Sequence, residues 1–420
     1  MTTAKQRHNN RFISALTQQT VAVVLAGGRG ASLGSLTEWR AKAAVPFGGK
    51  FRIIDFALSN CFNSQILKVL VLTQYKSHSL IKHIRNGWIQ RKSRQLGGID
   101  IVPAQQWTDD QSWYRGSADA VFQALDIIKS QDPEQVLIVA GDNVYSLDYG
   151  EMLAKHTASG ADITLCCTIV PQSQATRYGV AQIDKKGRLT AFDEMPDEPV
   201  GLPTAPDMSL VSMGIYLFST DILDKHLSID ANDPHSQHNL GRNIIPNILA
   251  SGGKVQAYLY RSPVAEHPPY WQDIWTIDNY YQANMALLSS VPPLDLYHSD
   301  WPFRTHQDQL PPARFSGRDK GCSNKNSMVS GGCKINNSTL ESSMLFSNVT
   351  VEENCHLSGV LALPGSHIGA GSRLKNVILD NRCTIEPGTI IGENITHDRE
   401  RYNVTEGGRI LISNFQSPYL

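Results

Sequence analysis

The chain has 420 residues, of which 41% are hydrophobic and 18% are charged, and its formal net charge at pH 7 is -1. A chain of this length is too long for one compact core and predicts two domains. The near balance of acidic and basic residues excludes a global basic field of the kind that binds nucleic acid or an anionic membrane. Any anion-binding site must therefore be local.

The cysteines and the N-terminus indicate where the protein resides. The seven cysteines are scattered and form neither a CxxC pair nor a metal-binding spacing. This pattern predicts reduced thiols and a cytoplasmic protein. Residues 1–20 are polar apart from a short apolar patch at residues 12–16, which is too brief for a signal peptide or a membrane span. We interpret residues 1–20 as an N-terminal tail that is helical in part.

Short apolar runs rich in β-branched residues predict the first domain. The run at residues 21–26 stops at Gly27 and Gly28, as a buried parallel strand does. Helix-length segments, such as residues 117–130, separate such runs. This alternation is typical of a parallel sheet covered by helices, so residues 21–290 are predicted to form an α/β domain. The further runs lie at residues 67–73, 135–140 and 162–170.

The amino-acid composition changes after residue 290. Residues 291–327 are rich in proline, glycine and serine and are predicted to form a linker. From residue 328 to residue 420, apolar residues recur every five or six positions. A helix needs a period near 3.6 and a strand a period of 2, so this repeat indicates a β-helix, with an irregular sandwich as the alternative. The repeating residues are Ile335, Leu340, Phe346, Val351, Leu357, Leu363, Ile368, Leu374, Leu379, Ile385 and Ile391.

A glycine-rich turn, Gly27-Gly28-Arg29-Gly30, follows the first predicted strand. Glycines at such a turn let backbone N–H groups approach phosphates closely. The turn is neither the dinucleotide fingerprint nor a P-loop. More specific motifs follow it, of which the longest runs from Arg40 to Asn60 with the sequence RAKAAVPFGGKFRIIDFALSN. The others lie at residues 73–78, 103–106, 113–120, 140–142, 178–180, 212–216 and 270–271.

These motifs closely resemble bacterial ADP-glucose pyrophosphorylase, also called glucose-1-phosphate adenylyltransferase, over nearly the whole chain from Val21. The resemblance implies a Rossmann-like nucleotidyltransferase domain, a linker and a left-handed parallel β-helix that supports assembly and regulation. It also implies that ATP and glucose 1-phosphate give ADP-glucose and pyrophosphate, for bacterial glycogen synthesis. In such a reaction a phosphate oxygen attacks the α-phosphorus in line, so catalysis is mostly positioning and charge neutralisation. Members of this family form tetramers.

The resemblance also assigns site residues. Asp142 and Asp273 are expected to hold Mg²⁺, which prefers hard oxygen ligands, and Lys42 and Asp142 are expected to be catalytic. Judged alone, Asp142 could instead be a turn or capping residue, and Tyr114 and Ser212 could be structural. The residues expected to bind the nucleotide are Leu25, Ala26, Gly27, Gly28, Gln106, Gly116, Ser117 and Asp119. Those expected to bind glucose 1-phosphate are Tyr114, Gly179, Glu194, Met195 and Ser212.

Several positions depart from the family pattern. Ser32 replaces an arginine that faces the polyphosphate, Met195 replaces a lysine that faces the sugar phosphate, and Trp275 replaces a glycine beside Asp273. Loss of an arginine that neutralises transferring phosphates typically costs about 10³ to 10⁵ in rate. We therefore expect impaired catalysis. Trp39 replaces a lysine that contacts an activator, which puts the usual regulation in doubt.

Two alternatives compete with the enzyme. One is a non-catalytic regulatory subunit that forms a heterotetramer with a catalytic paralogue. The other is a different pyrophosphorylase joined to a hexapeptide acyltransferase, although His356 and His367 are more simply interpreted as exposed residues of the coils.

Overall fold

The computed structural model describes residues 12–88, 97–104, 113–264, 268–317 and 321–413. Residues 12–18 are helical, and Leu16 is buried in the core of the first domain. The described part of the predicted tail is therefore anchored to the sheet. No helix in these ranges is long and apolar enough to cross a membrane.

The N-terminal half contains thirteen strands within the described ranges. They are β1 (Thr20–Ala26), β2 (Pro46–Phe47), β3 (Phe51–Arg52), β4 (Lys68–Thr73), β5 (Gly98–Pro103), β6 (Gln135–Ala140), β7 (Asn143–Tyr145), β8 (Ile163–Pro171), β9 (Gly179–Ile183), β10 (Leu189–Glu194), β11 (Met208–Ser219), β12 (Val255–Leu259) and β13 (Trp271–Asp273).

Helices cover this half on both faces of the main sheet. The α-helices are Ile54–Asn63, His78–Gly87, Ser117–Gln123, Leu125–Lys129, Tyr149–Ser159, Gln172–Ala175, Thr220–Ala231, Ile245–Ala250 and Ile277–Ala286. Besides these and the helical residues 12–18, the described part of this half has two 3₁₀ segments, Ala31–Thr37 and Lys42–Ala44, and one π-helical segment, Leu240–Ile244.

The main sheet has the order β10-β9-β11-β6-β1-β4-β5, with β8 and β12 attached through β11. Strands β1, β4 and β6 are parallel, as the apolar runs predict, and their residues are almost all buried. β5 pairs parallel to β4 at the edge of the sheet and is largely exposed. The sheet is mixed rather than parallel throughout, since β11 runs antiparallel to β6, β8 and β9. An apolar run predicts burial but carries no information on strand direction.

The topology creates a crevice at one edge of the sheet. β1 lies between β4 on one side and β6 on the other, so the chain changes direction along the sheet at β1. In open α/β sheets, ligands bind outside the carboxyl ends of the strands at such a switch point. The glycine turn after β1 and Asp142 after β6 both lie there. A short antiparallel ladder of β7 and β13 places Asp273 opposite Asn143, next to Asp142.

The C-terminal half is a stack of coils built from three sheets, which are parallel except for one antiparallel pair, Asn403–Val404 with Ile410–Ile412, at the end of the third sheet. All eleven repeating residues from Ile335 to Ile391 are at most 5% exposed. Nine of them lie in the core of the stack, as a β-helix requires, whereas Phe346 and Leu363 are buried against the first domain instead. The stack begins earlier than residue 328. Arg314–Ser316 pairs with Lys334–Asn336, and Ser323–Lys325 pairs with Thr339–Glu341, so part of the predicted linker forms the first coil.

The strands of the stack are β14 (Arg314–Ser316), β15 (Ser323–Lys325), β16 (Met328–Val329), β17 (Lys334–Asn336), β18 (Thr339–Glu341), β19 (Met344–Leu345), β20 (Thr350–Val351), β21 (His356–Ser358), β22 (Leu361–Ala362), β23 (His367–Ile368), β24 (Arg373–Lys375), β25 (Val377–Leu379), β26 (Thr384–Ile385), β27 (Ile390–Ile391), β28 (Asn403–Val404) and β29 (Ile410–Ile412), with one helix at Ile395–Arg401.

Candidate active site

The carboxyl ends of β1 and β6 are joined by close backbone packing. The Gly141 N–H donates to the Leu25 carbonyl at 2.9 Å, and a β-carbon at residue 141 would lie 2.9 Å from Cγ1 of Val24. Gly27 is also close to a neighbour, since a β-carbon there would lie 3.2 Å from Cβ of Gln74. Glycine at residue 141 is therefore needed for the ends of β1 and β6 to approach each other, and Gly27 allows a close approach to the loop after β4. Gly28, which has no neighbour within 4 Å of its β-carbon position, faces the open crevice.

The crevice contains a lysine held between two carboxylates. Nζ of Lys42 lies 2.9 Å from Oδ2 of Asp142 and 3.1 Å from Oδ1 of Asp273. The two carboxylate oxygens are therefore separated by no more than the sum of these distances. The expected convergence of Asp142 and Asp273 beside the glycine turn is present in the structure.

We call Lys42, Asp142 and Asp273 the Lys42 clamp. Local structure fixes the position of each of them. Lys42 begins a buried 3₁₀ turn, and its side chain is 7% exposed. Asp142 follows β6 and remains 34% exposed, whereas Asp273 ends β13 and is 13% exposed. One carboxylate thus faces the crevice and the other lies behind it.

Burial and neighbouring charges shift the pKa values of Lys42 and Asp273 in opposite directions. Burial lowers the pKa of Lys42, but the charges of Asp142 and Asp273 outweigh it and the pKa is raised. Burial raises the pKa of Asp273, and the charge of Lys42 only partly offsets this effect. The ammonium group is thus held in its charged form between two acids that need a cation.

The clamp also suits a divalent metal ion. Its oxygens are hard ligands, and two carboxylates are enough for an ion that takes its other ligands from phosphates and water. Within the described ranges, no group of three or more His, Cys, Asp and Glu side chains is arranged to hold a metal. A metal at the clamp would therefore need ligands from the substrate.

Glu194 ends β10 in a tight pocket between two glycines. A β-carbon at Gly179 would lie 2.6 Å from Oε2 of Glu194, and one at Gly241 would lie 2.3 Å from the same atom. This oxygen is buried and has no hydrogen-bond partner in the structure. Burial raises the pKa of Glu194, and the charge of Arg242 opposes the shift. A buried acceptor without a partner is costly, which suits an atom that accepts a hydrogen bond from a ligand hydroxyl.

The other residues expected at the sugar-phosphate site differ in their surroundings. Ser212 is buried, and its hydroxyl donates to the Tyr216 hydroxyl at 3.3 Å. Met195 is 45% exposed and adopts a left-handed backbone with φ of 53°. Tyr114 packs with the core of the first domain and donates to the Val102 carbonyl at 3.5 Å, and burial raises its pKa to about 12.

Two of the side chains expected to bind the nucleotide, Asp119 and Ser117, form hydrogen bonds within the protein. The Asp119 carboxylate accepts hydrogen bonds from the backbone N–H of Arg115 at 2.9 Å and from Gln123 at 3.0 Å. The Ser117 hydroxyl accepts from the Leu240 N–H at 2.9 Å. Both side chains therefore shape residues 116–119, the turn that opens the helix Ser117–Gln123, which we call the nucleotide loop. Gln106 lies outside the described residues.

Sequence reasoning missed two neighbours of the site. The Tyr178 ring packs edge-on against Trp271, with centroids 5.2 Å apart, and the charges of Asp273 and Lys42 act on its hydroxyl. Gly241 forms a wall of the Glu194 pocket. Tyr178 lies in the motif at residues 178–180, so the sequence contained a signal for it even though no role was assigned to it. Gly241 is a lone glycine 47 positions from Glu194, in a stretch without a local pattern.

Each unusual residue has a definite place. Ser32 is exposed on the 3₁₀ segment after the glycine turn. Trp275 is 39% exposed, and Nζ of Lys42 lies 6.0 Å from the centre of its ring, which allows a cation–π contact with the clamp. Nζ of Lys76 lies 5.4 Å from the centre of the Trp39 ring.

Comparison with known proteins agrees with this geometry. Residues 21–290 match the nucleotidyl transferase family, and residues 311–412 match the GlmU-like C-terminal hexapeptide family. The chain is 47% identical to glucose-1-phosphate adenylyltransferase of Methylococcus capsulatus over 407 residues, which cover 96% of both chains. It is 46% identical to glucose-1-phosphate adenylyltransferase 2 of Alkalilimnicola ehrlichii, over 96% of this chain and 95% of the relative. It is 44% identical to the enzyme of the same name from Nitrosomonas europaea, again over 96% and 95%. The chain therefore belongs to the glucose-1-phosphate adenylyltransferase family of nucleotidyl transferases.

Proposed function

We propose that the protein transfers the adenylyl group of ATP to glucose 1-phosphate, giving ADP-glucose and pyrophosphate. The observation that carries this proposal is the Lys42 clamp, which lies at the carboxyl ends of β1 and β6 beside the glycine turn. A buried cation and two carboxylates at this edge suit a reaction whose main demand is the neutralisation and alignment of phosphates.

The clamp residues have distinct proposed roles. Lys42 provides a fixed positive charge next to the reacting phosphates, and its two acidic neighbours hold its side chain in one position. Asp142 and Asp273 are the proposed ligands of Mg²⁺. When bound, this ion offsets negative charge on the phosphates. The leaving group is pyrophosphate, so no covalent intermediate with the protein is needed.

Each substrate has its own proposed subsite. The adenosine part of ATP is placed against Leu25, Ala26, Gly27 and Gly28 and against the loop of Gly116, Ser117 and Asp119, with Gln106 as a further contact. Glucose 1-phosphate is placed against Tyr114, Gly179, Glu194, Met195 and Ser212. The unpartnered Oε2 of Glu194 supports a sugar hydroxyl as its donor.

Assembly and location complete the proposal. We expect a cytoplasmic tetramer, formed either by this chain alone or together with a catalytic paralogue. Chemistry is assigned to residues 21–290, and the stacked coils are assigned to assembly and regulation, because they contribute no residue to the Lys42 clamp.

A pyrophosphorolysis assay tests the proposal. The purified chain is given ADP-glucose, pyrophosphate and Mg²⁺, alone and mixed with a catalytic relative from the same organism, and ATP is measured. Asp142→Asn is expected to lower the rate of the chain by at least about a hundredfold. Asp100→Asn, which removes an exposed carboxylate on the edge strand β5, is the matched control and should retain the rate. Equal rates for these two variants would contradict the proposed role of the clamp.

A further inference from the structure

One loop segment touches both proposed subsites. Residues 236–241, here called the strap, connect the end of the helix Thr220–Ala231 to the π-helical segment Leu240–Ile244. The strap lies between the loop at Gly116 and the carboxylate of Glu194. The strap therefore connects the proposed nucleotide subsite with the proposed sugar subsite.

On the nucleotide side, the strap makes backbone hydrogen bonds with the nucleotide loop, residues 116–119. The His238 carbonyl accepts hydrogen bonds from the N–H groups of Ala118 at 2.8 Å and Asp119 at 3.4 Å. The Leu240 N–H donates to the Ser117 hydroxyl at 2.9 Å. A β-carbon at Gly116 would lie only 2.2 Å from the His238 carbonyl oxygen, so the two backbones are in direct contact. A shift of the strap must therefore move the loop.

On the sugar side, the strap forms a wall of the Glu194 pocket. A β-carbon at Gly241 would lie 2.3 Å from Oε2 of Glu194 and 2.5 Å from its carboxyl carbon. There is no space for the strap to move toward this carboxylate. The position of the strap thus limits the position of the group that is proposed to bind the sugar.

A buried anchor holds the strap. Nδ1 of His238 lies 2.9 Å from Oδ2 of Asp230, and both residues are 4% exposed. The Ser236 hydroxyl donates to the other Asp230 oxygen and accepts from the His238 N–H at 2.9 Å. His238 adopts a left-handed backbone with φ of 51°, which few non-glycine residues adopt. Such a conformation persists only when surrounding contacts enforce it, and the contact with Asp230 is suited to that task.

We propose that Asp230 and His238 are positioning residues that hold the strap, and through it both the nucleotide loop and Glu194, in the geometry needed to bind the two substrates together. This inference rests on the proposed function. Neither side chain touches the reacting atoms, so both act through the backbone of the strap.

Binding measurements on the full chain test the inference. Titration calorimetry with ATP and with glucose 1-phosphate is performed on the parent, His238→Leu, His238→Asn and His226→Leu. We expect His238→Leu to weaken ATP binding about tenfold, because the loop is no longer held in place, and to weaken glucose 1-phosphate binding as well. His238→Asn should restore binding, since its side-chain N–H occupies the position of the histidine Nδ1 and asparagine tolerates the left-handed backbone.

Two further variants separate this effect from a general loss of folding. His226→Leu replaces another buried histidine on the helix that carries Asp230 and should bind both ligands as the parent does. His238→Leu leaves one oxygen of the buried Asp230 carboxylate without a partner, with only the Ser236 hydroxyl on the other, which is costly for folding. Asp230→Leu combined with His238→Leu removes both polar groups, and this double variant should fold and show the same loss of ATP affinity.

The outcomes distinguish the two proposals. A parent chain that does not bind ATP overturns the proposed function and this inference with it. A parent that binds ATP together with a folded double variant of equal affinity overturns the inference alone. Failure of His238→Asn to restore binding also overturns it, because the bond to Asp230 would then not be the feature that positions the strap.

Discussion

Gly30 lies directly against Lys42. The glycine has a left-handed backbone with φ of 61°, and a β-carbon there would lie 2.7 Å from Cβ of Lys42. The last residue of the glycine turn and the lysine of the clamp are therefore packed in contact. We therefore expect the turn to influence catalysis through this contact.

Replacement of Gly30 by alanine tests this relationship. Gly30→Ala should displace Lys42 from Asp142 and Asp273, and we expect it to lower turnover by about a hundredfold, the usual effect of misplacing a group by about 1 Å. Gly160→Ala is the matched control, because Gly160 has a φ of 57° but no neighbour within 4 Å of its β-carbon position. Both variants should lose about 1–2 kcal/mol of stability from the left-handed backbone. Equal activity of the two variants would show that contact with Lys42 is unimportant.

The contact between the two halves of the chain predicts a stability effect. Nη2 of Arg40 lies 2.9 Å from Oδ1 of Asp380, and the two side chains are 7% and 8% exposed. Asp380→Ala leaves a buried guanidinium without its charged partner, with only the Asn381 side-chain oxygen at 3.3 Å as an acceptor, and should cost about 3–5 kcal/mol in the free energy of unfolding. Glu341→Ala breaks the pair with Lys325, whose side chains are 50% and 78% exposed, and should cost less than about 1 kcal/mol. Denaturant unfolding of both variants distinguishes the two values, and a small loss in Asp380→Ala would contradict the prediction.

A buried histidine predicts how stability depends on pH. Burial lowers the pKa of His156 to about 4, and its ring contacts the Thr164 hydroxyl at 2.8 Å. A histidine that is harder to protonate when folded contributes stability above the unfolded pKa near 6.5, and this contribution is lost as pH falls toward the folded value. The loss from pH 7 to pH 5 should be about 2 kcal/mol.

Unfolding of the parent and of His156→Gln at pH 7 and pH 5 measures this contribution. The variant should be less stable at pH 7 but should lose about 2 kcal/mol less than the parent between the two values. His235→Gln, which replaces an exposed histidine, is the control and should behave as the parent does. An identical pH dependence in all three proteins would exclude His156 as the source.

The sequence predicted those features that repeat or that lie within long motifs. The spacing from Ile335 to Ile391 predicted the coils because each inward position needs an apolar residue. The first coil was missed, since its strand Arg314–Ser316 is exposed and has a single apolar residue, Phe315. The convergence of Asp142 and Asp273 followed from the family resemblance alone.

Contacts between distant parts of the chain left no local pattern. Lys42 meets Asp273 across 231 positions, and nothing near either residue signals the partner. The same is true of Gly241 and Glu194, which meet only because the strap returns to the sheet. Such contacts depend on tertiary packing, and one sequence without related sequences for comparison does not reveal them.

Ser32 and Met195 stand where the family has basic side chains, so we expect slow turnover and expect basic side chains at these two positions to restore it. Ser32 is exposed on the segment after Gly30, on the polyphosphate side of the proposed site, and Met195 follows Glu194 on the sugar side with a side chain that is 45% exposed. Both positions have room for a longer basic side chain. In-line transfer needs both substrates aligned at once, so a single repair leaves one substrate misplaced.

We therefore expect Ser32→Arg combined with Met195→Lys to raise ADP-glucose synthesis far more than either change alone. Initial rates with saturating Mg²⁺ and both substrates are measured for the parent, the two single variants and the double variant, without a partner subunit, and the coupling energy is the informative quantity. Val200→Lys adds a cation at another exposed position of the first domain, 46% exposed, and should leave the rate unchanged. A parent that already turns over at about 1–10³ per second would contradict the expected impairment. A double variant that folds and binds ATP but remains inactive would exclude the two cations as the decisive loss, and the indole of Trp275 beside Lys42 would then be the residue to replace with glycine.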